Sequence, residues 1–485
     1  MESSKVDHIL SSPKRRKLSE TKTKTKKAPF ELLCDIIKAG DSKQLRDKLS
    51  EGLLADLNIL DKHDYTLLMK AAEEGQLECV KVLLEFGALV DLPHTDVKDE
   101  SHEEYWFYRS NAIYLAAKKG HFGIVKFLLE TDPHAELNHF DFRPLYEACR
   151  QGHLDTAKLL VEHGAELQDD DNEYSANALM EACKSGNAEL VEYLIDEGAD
   201  VNYENKYNSH ALIVACEGRH LDVMQVLLEN GADVNAMRMG LAQDPEEYTC
   251  LHLACQREDM DIIRLLVKYK ADISVYNRNS LSPFTSAYTK GHKEAVDLFL
   301  ESSSGVDLNN NAGRLCYVQN GEWVPIRDKW TPLMHACYRG DVDMVQRLLA
   351  RGVFVNVISE TDRGGPFEVT VPSAVLVSID NEALLQLLLN HGADVNLTDS
   401  HGNTALLTVL RARLEDYDSD DEDAVPVVAG SMSPAVLKGV RMLLDYGFDP
   451  MHGNHKGKTA FDYVAAGSEL EALLKEYRDR KPILK

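Results

Sequence analysis

Few of the 485 residues are arranged as reactive chemistry requires, and those that come near it fail on spacing. The run Gly453-Asn454-His455-Lys456-Gly457-Lys458-Thr459 imitates a phosphate-binding loop, in which backbone amides cradle phosphate and a lysine reaches over it. Its glycines stand one residue too close, and no buried strand precedes them, so a turn between repeated units accounts for it. Asp418, Asp420 and Glu422 imitate the start of a calcium loop but lack the glycine and the closing glutamate. Nine cysteines could build a disulfide framework or a metal site. Cys149, Cys183, Cys216, Cys255 and Cys337, however, each directly follow an alanine at the same place in successive units, which makes them small core residues. Buried free thiols fit a reducing compartment. No metal ligation is expected, since the cysteine and histidine pairings of zinc sites are missing. No Ser/His/Asp, Cys/His or His-Glu-x-x-His constellation stands out, so neither catalytic residues nor a cofactor is expected.

What the sequence does offer is charge and exposed shape. The net charge of -27 is uneven: the first 27 residues hold nine Lys or Arg against three Asp or Glu, leaving the rest of the chain at -33. A body this acidic repels phosphates, so nucleic acid is an unlikely partner. Residues 1–28 lack apolar periodicity and read as a disordered tail. Within it, Lys14, Arg15, Arg16 and Lys17 follow Pro13 and resemble a nuclear localisation signal, which implies a nuclear import receptor as one partner. No apolar run approaches the ~20 residues of a membrane span, and no signal peptide opens the chain. The expected location is the nucleus or the cytoplasm, with the nucleus favoured.

The elements that carry these residues repeat. In residues 177–202, Leu179, Ala182 and Cys183 share one face of a short helix, and Leu190, Val191, Leu194 and Ile195 share one face of a second. Gly198 then supplies the left-handed residue that ends the second helix. Two such helices cannot bury a core alone and must stack on neighbours. Comparable stretches open at Thr66, Asn111, Arg143, Asn177, His210, Thr249, Ser282, Thr331, Val371, Thr404 and Thr459. They share Thr-Pro-Leu-His-x-Ala-Ala, a glycine turn, Val-x-x-Leu-Leu and Gly-Ala-Asp-Val-Asn, and in this they resemble the ankyrin-repeat family. With a degenerate opening unit at 31–58, about twelve repeats result. The resemblance implies an all-α repeat solenoid of helix-turn-helix units with β-hairpin tips. It would span 29–478, with an acidic insertion at 415–433 and a short tail at 479–485. Two units depart from the pattern. Lys270 stands where glycine is expected, so its unit either bears roughly 1 kcal/mol of strain or ends its helix differently. The Val371 unit lacks the usual Leu and Ala-Ala, so looser packing is expected there.

The resemblance implies protein binding through hairpin tips and the concave helix surface. Tyr65, Phe142, Tyr248 and Trp330, one residue before the repeat openings, and Tyr108, Tyr174 and Tyr207, three before, form a row of aromatic anchors if exposed. Packing against adjacent hairpins is the alternative for several of them. Lys118, Lys119, Arg150, Lys184, Arg257, Lys290 and Arg339 form a basic stripe that would suit an acidic peptide on the concave face. Asn202, Asn235 and Asn396 each follow a leucine by eight residues, similar to ankyrin-repeat sites of asparaginyl hydroxylation. Ser419, followed by Asp420, Asp421 and Glu422, resembles an acidophilic kinase site. The expected role is a protein-binding scaffold or regulator; the alternative is a substrate-recognition or regulatory subunit of an enzyme complex such as a ubiquitin ligase or phosphatase. For that alternative, 477–485 shows no adaptor-binding box.

Overall fold

Thr249 shows why a repeat begins where it does. Its hydroxyl accepts the amide of His252 while the His252 ring accepts the amide of Thr249, a reciprocal cap on the helix Cys250–Arg257. Ser282 makes the same reciprocal cap with Thr285, and the Thr331 hydroxyl accepts the amide of Met334, with Pro283 and Pro332 at the first turn where a missing N–H costs nothing. In the computed structural model the described residues are 29–61, 63, 65–91, 111–138, 143–168, 177–206, 209–238, 247–277, 281–302, 308, 316–319, 322–325, 331–356, 374–398, 401–412 and 432–479.

The chain packs as two compact units, Met1–Glu166 and Leu167–Lys485. The first holds the helix pairs Pro29–Lys38 and Ser42–Ser50, Leu67–Glu73 and Leu77–Glu85, Ala112–Lys119 and Phe122–Thr131, and Pro144–Gln151 and Leu154–Glu162. The second opens with Ala178–Ser185 and Ala188–Asp196, Ala211–Glu217 and Leu221–Glu229, Cys250–Arg257 and Met260–Lys268, and Pro283–Lys290 and Lys293–Glu301. It continues with Pro332–Tyr338 and Val342–Ala350, Ala374–Val377 and Glu382–Asn390, Ala405–Ala412 and Pro434–Asp445, and closes on the 3-10 turn Ala460–Tyr463 and the helix Glu469–Asp479. The fold is an all-α repeat solenoid. Among the described residues strands form two antiparallel pairs: β1 (Met237–Arg238) with β2 (Tyr248–Thr249), and β3 (Cys316–Gln319) with β4 (Glu322–Pro325).

Each layer of core is thin and is shared with the next repeat. Cys149, Cys183, Cys216, Cys255 and Cys337 are buried free thiols, as their recurrence demands. The asparagine that closes a repeat ties it to its successor. Asn202 donates to the carbonyl of Gly231 (3.0 Å) and accepts from the amide of Asp233 (2.8 Å). Asn58, Asn138, Asn356 and Asn396 repeat that two-sided bridge within their own units. A side-chain carboxamide offers both N–H donors and a carbonyl acceptor, which is what a glycine carbonyl and the amide two residues on require.

Lys270 does not end its helix differently; it enters the left-handed region at φ +63, as Gly198 and Gly231 do in their repeats. The Val371 repeat has a first helix of only four residues, yet Ala374, Val375 and Ile379 are buried. The reason is Gly439, in the helix Pro434–Asp445, whose missing Cβ lets that helix approach the carbonyl of Ile379.

Candidate protein-binding surface

Of the seven aromatic residues that the sequence places before repeat openings, Tyr108, Phe142, Tyr174, Tyr207 and Trp330 lie outside the described residues. So do Lys14, Arg15, Arg16, Lys17 and Ser419, and the calcium-like Asp418, Asp420 and Glu422. Tyr65 is half-buried, with the ammonium of Lys70 3.7 Å from its ring centre and its amide donating to the Asp61 carboxylate.

Tyr248 is not an exposed anchor, and this corrects the expectation. It is 8% exposed, its hydroxyl donates to Glu217 Oε1 (2.6 Å), and Arg238 donates to that hydroxyl (2.7 Å) and to the same carboxylate (2.8 Å). Burial, followed by the bond to Glu217, pushes its pKa up to about 12. The pairing of β1 with β2 brings Arg238 beside Tyr248, so the residue clamps the base of a hairpin instead of projecting from it.

The basic stripe is largely occupied by the chain itself. In the first unit Arg150 pairs with the buried Glu147 (3.0 Å), and Lys118 lies 5.8 Å from the ring centre of Tyr114. In the second, Lys184 pairs with the buried Glu181 (2.8 Å). Arg257 donates to the carbonyl of Glu217 (2.9 Å), Lys290 to that of Gln256 (3.1 Å), and Arg339 to those of Tyr288 and Thr289 (3.1 and 3.0 Å). Each of these cations sits at the C-terminal end of the preceding repeat's first helix, where carbonyls lack intrahelical partners and the dipole is negative. These side chains are inter-repeat caps first.

Among the described residues Phe86, Phe122, Tyr338, Phe354 and Tyr446 are exposed aromatics that the sequence reading missed, and two of them stand out. Tyr338 is 69% exposed at the end of Pro332–Tyr338, and Phe354 is 65% exposed after the second helix of the same repeat. Phe354 stands where Asp200, Asp233 and Asp394 accept the amide two residues on. A phenylalanine inside Gly352-Val353-Phe354-Val355-Asn356 was the available signal, because no turn chemistry calls for it there.

The glycine-rich run 453–459 is a turn closed by Asn454, whose carboxamide oxygen accepts the amides of Lys456 and Lys458 (3.0 Å each). Those amides are spent and do not point at an anion. Among the described residues no helix is long and apolar enough to cross a membrane.

Sequence models of ankyrin repeats match residues 89–171, 166–238 and 239–312, and a model of the single repeat matches 63–95 and 328–361, together more than half of the chain. The chain belongs to the ankyrin-repeat family. Ankyrin-repeat proteins in general are interaction modules, so binding of other proteins is the class of function. Among relatives, the B-cell lymphoma 3 protein homolog of Mus musculus is 28% identical over 36% of this chain and 35% of its own length. The putative ankyrin repeat protein YahD of Escherichia coli is 26% identical over 33% and 57%. Ankyrin repeat and SOCS box protein 6 of Homo sapiens is 28% identical over 46% and 45%. This ankyrin-repeat chain thus spans between about a third and somewhat over half the length of these curated relatives.

Proposed function

We propose that the chain is a protein-binding scaffold or regulator acting in the nucleus, with the Thr331 repeat as a docking point of the Leu167–Lys485 unit. The observation that carries the reading is the exposure of Tyr338 and Phe354 in a chain where aromatics make up 7% of residues. Large aromatic side chains on a rigid scaffold are the commonest interface anchors because they bury much surface at little entropic cost. Tyr65, Tyr108, Phe142, Tyr174, Tyr207 and Trp330 are proposed as further anchors. An acidic peptide as occupant has lost support, since most cations of the stripe are engaged; a body at -33 favours partners of net positive charge. The nuclear part rests on Lys14, Arg15, Arg16 and Lys17 as the import-receptor site.

The test compares proteins recovered with the intact chain and with the Tyr338→Ala, Phe354→Ala double variant. The reading requires that the variant lose the partner while its thermal midpoint stays unchanged; equal recovery rejects the Thr331 repeat. Removal of residues 1–28 should shift a nuclear chain to the cytoplasm, and an intact chain that is cytoplasmic throughout rejects the nuclear part. A second reading, a substrate-recognition or regulatory subunit of a ubiquitin ligase or phosphatase, draws on the likeness to a relative named for both ankyrin repeats and a SOCS box. Its mark is stoichiometric co-purification of a ligase or phosphatase core.

A further inference from the structure

Cys250 is the residue that the repeating pattern does not explain. It occupies the second place of its repeat, filled elsewhere by Pro144, Pro283, Pro332, Ala112, Ala178, Ala211 and Leu67. In the Thr249 repeat that place faces the end of the preceding first helix, where Cys216 stands. In the His210 and Thr249 repeats the consequence is that thiol meets thiol. The Sγ of Cys216 lies 3.6 Å from the carbonyl oxygen of Cys250, and the Sγ of Cys250 lies 3.6 Å from that of Leu212, one turn before Cys216. Each thiol is thus directed at a backbone carbonyl across the joint, and the Cys216 thiol is near enough to that of Cys250 to raise its pKa. Both residues are buried, at 1% and 0% exposure.

A second feature falls in the same two repeats. The turn between their helices holds Arg219 and Glu258 in the left-handed region, both at φ +60, where the Asn111, Arg143 and Asn177 repeats place glycine. Arg219 and Glu258 therefore carry backbone strain that a glycine would not. Strained elements lie at the low-stability end of a structure and open more readily than their neighbours.

We propose that Cys216 and Cys250 form an oxidation site, in which a hydroperoxide converts the facing thiols to a disulfide that staples the first helices of the His210 and Thr249 repeats. In the closed joint both thiols are buried, and the neighbouring Cys216 thiol together with burial raises the Cys250 pKa. Opening of the joint ionises one thiol. Its thiolate attacks a peroxide oxygen, the O–O bond breaks, and the leaving oxygen takes up the proton the thiol lost, giving a sulfenic acid and water from hydrogen peroxide, or an alcohol from an organic hydroperoxide. The second thiol attacks that sulfur, the S–S bond forms, and water leaves. Two thiols lose two electrons and two protons, and the hydroperoxide takes them up. Among the described residues Cys183, Cys255 and Cys337 have no thiol recorded opposite them in this way, so the linkage is expected at this joint.

The experiment treats the intact, folded chain with hydrogen peroxide, blocks remaining thiols with N-ethylmaleimide and maps linked peptides by mass spectrometry. A 216–250 linkage in large excess over any other pair, reversed by dithiothreitol, is the expected result. With it should come a rise in thermal midpoint of roughly 5 °C that reduction removes. Cys250→Pro, which restores the usual residue of the repeat, and Cys250→Ala should both lose the linkage while keeping the circular dichroism of the parent. Oxidation that links Cys216 equally to Cys183 or Cys255, or full protection of both thiols until the chain unfolds, overturns the proposal.

Discussion

Arg257 reaches from the end of its own first helix to the end of the previous one, where its guanidinium donates to the carbonyl of Glu217 at 2.9 Å. Arg339 does the same for Tyr288 and Thr289 across a sequence gap of about fifty residues, so the long insertion between these repeats leaves their joint intact. Removing a charged donor from two carbonyls at a helix end costs about 1–2 kcal/mol. Arg339→Ala should therefore lower the urea midpoint measurably, and Arg339→Lys should recover part of the loss. An unchanged midpoint for the alanine variant would show that water caps that helix equally well.

Asn202→Ala removes both the donor to Gly231 and the acceptor for Asp233, and should cost about 2 kcal/mol. Asn202→Asp keeps the acceptor alone and should fall between the two. The same side chain is proposed for hydroxylation, at its Cβ, together with Asn235 and Asn396; Asn202 and Asn235 are exposed. Mass spectrometry of the cellular protein should find a gain of one oxygen on these residues, and its absence from all three ends that proposal.

Lys270→Gly should raise stability by roughly 1 kcal/mol, because a Cβ at φ +63 bears strain that glycine avoids. Thermal unfolding of the two chains side by side decides it.

Gly439→Ala should act the other way and more strongly. A Cβ there collides with the carbonyl oxygen of Ile379, a backbone atom that cannot rotate aside. Overpacking of this kind costs about 1–3 kcal/mol. Because the site joins the short first helix of the Val371 repeat to Pro434–Asp445, hydrogen exchange should report the loss there before it appears elsewhere.

Two imidazoles make the chain acid-sensitive. Burial lowers the pKa of His252 to about 4, and burial followed by the nearby Arg339 charge lowers that of His335 to about 4, from an ordinary 6.5. Between those values the unfolded chain binds protons that the folded chain does not, so acid favours unfolding. The contribution of these histidines is fully present above pH 6.5 and is lost as pH falls toward 4. For His252 the slope is about 1.4 kcal/mol per pH unit. Thermal midpoints measured from pH 7 down to pH 5 should fall, and less steeply in a His252→Gln variant.

The repeats were legible because each depends on local pattern: an N-cap, an apolar stripe, a left-handed stop. The buried cysteines were legible for the same reason, since recurrence at one place in a repeating unit means one environment. Tyr248 was misread because its environment is assembled from Glu217 and Arg238, both in the preceding repeat. The basic stripe was misread likewise: a lysine at a helix end looks solvent-facing until the preceding helix presents its carbonyls.

The amino-acid sequence by itself determined the all-α repeat fold, the capped helix starts, the core cysteines and the family. These follow from periodicity and from chemistry acting over a turn or two of chain. Only the tertiary structure decided that Arg257, Lys290 and Arg339 cap their neighbours, that Tyr248 is a clamp, that Tyr338 and Phe354 stand exposed, and that Cys216 faces Cys250. Each of those depends on contact between residues in different repeats or on exposure in the stacked whole, which a repeating pattern leaves open.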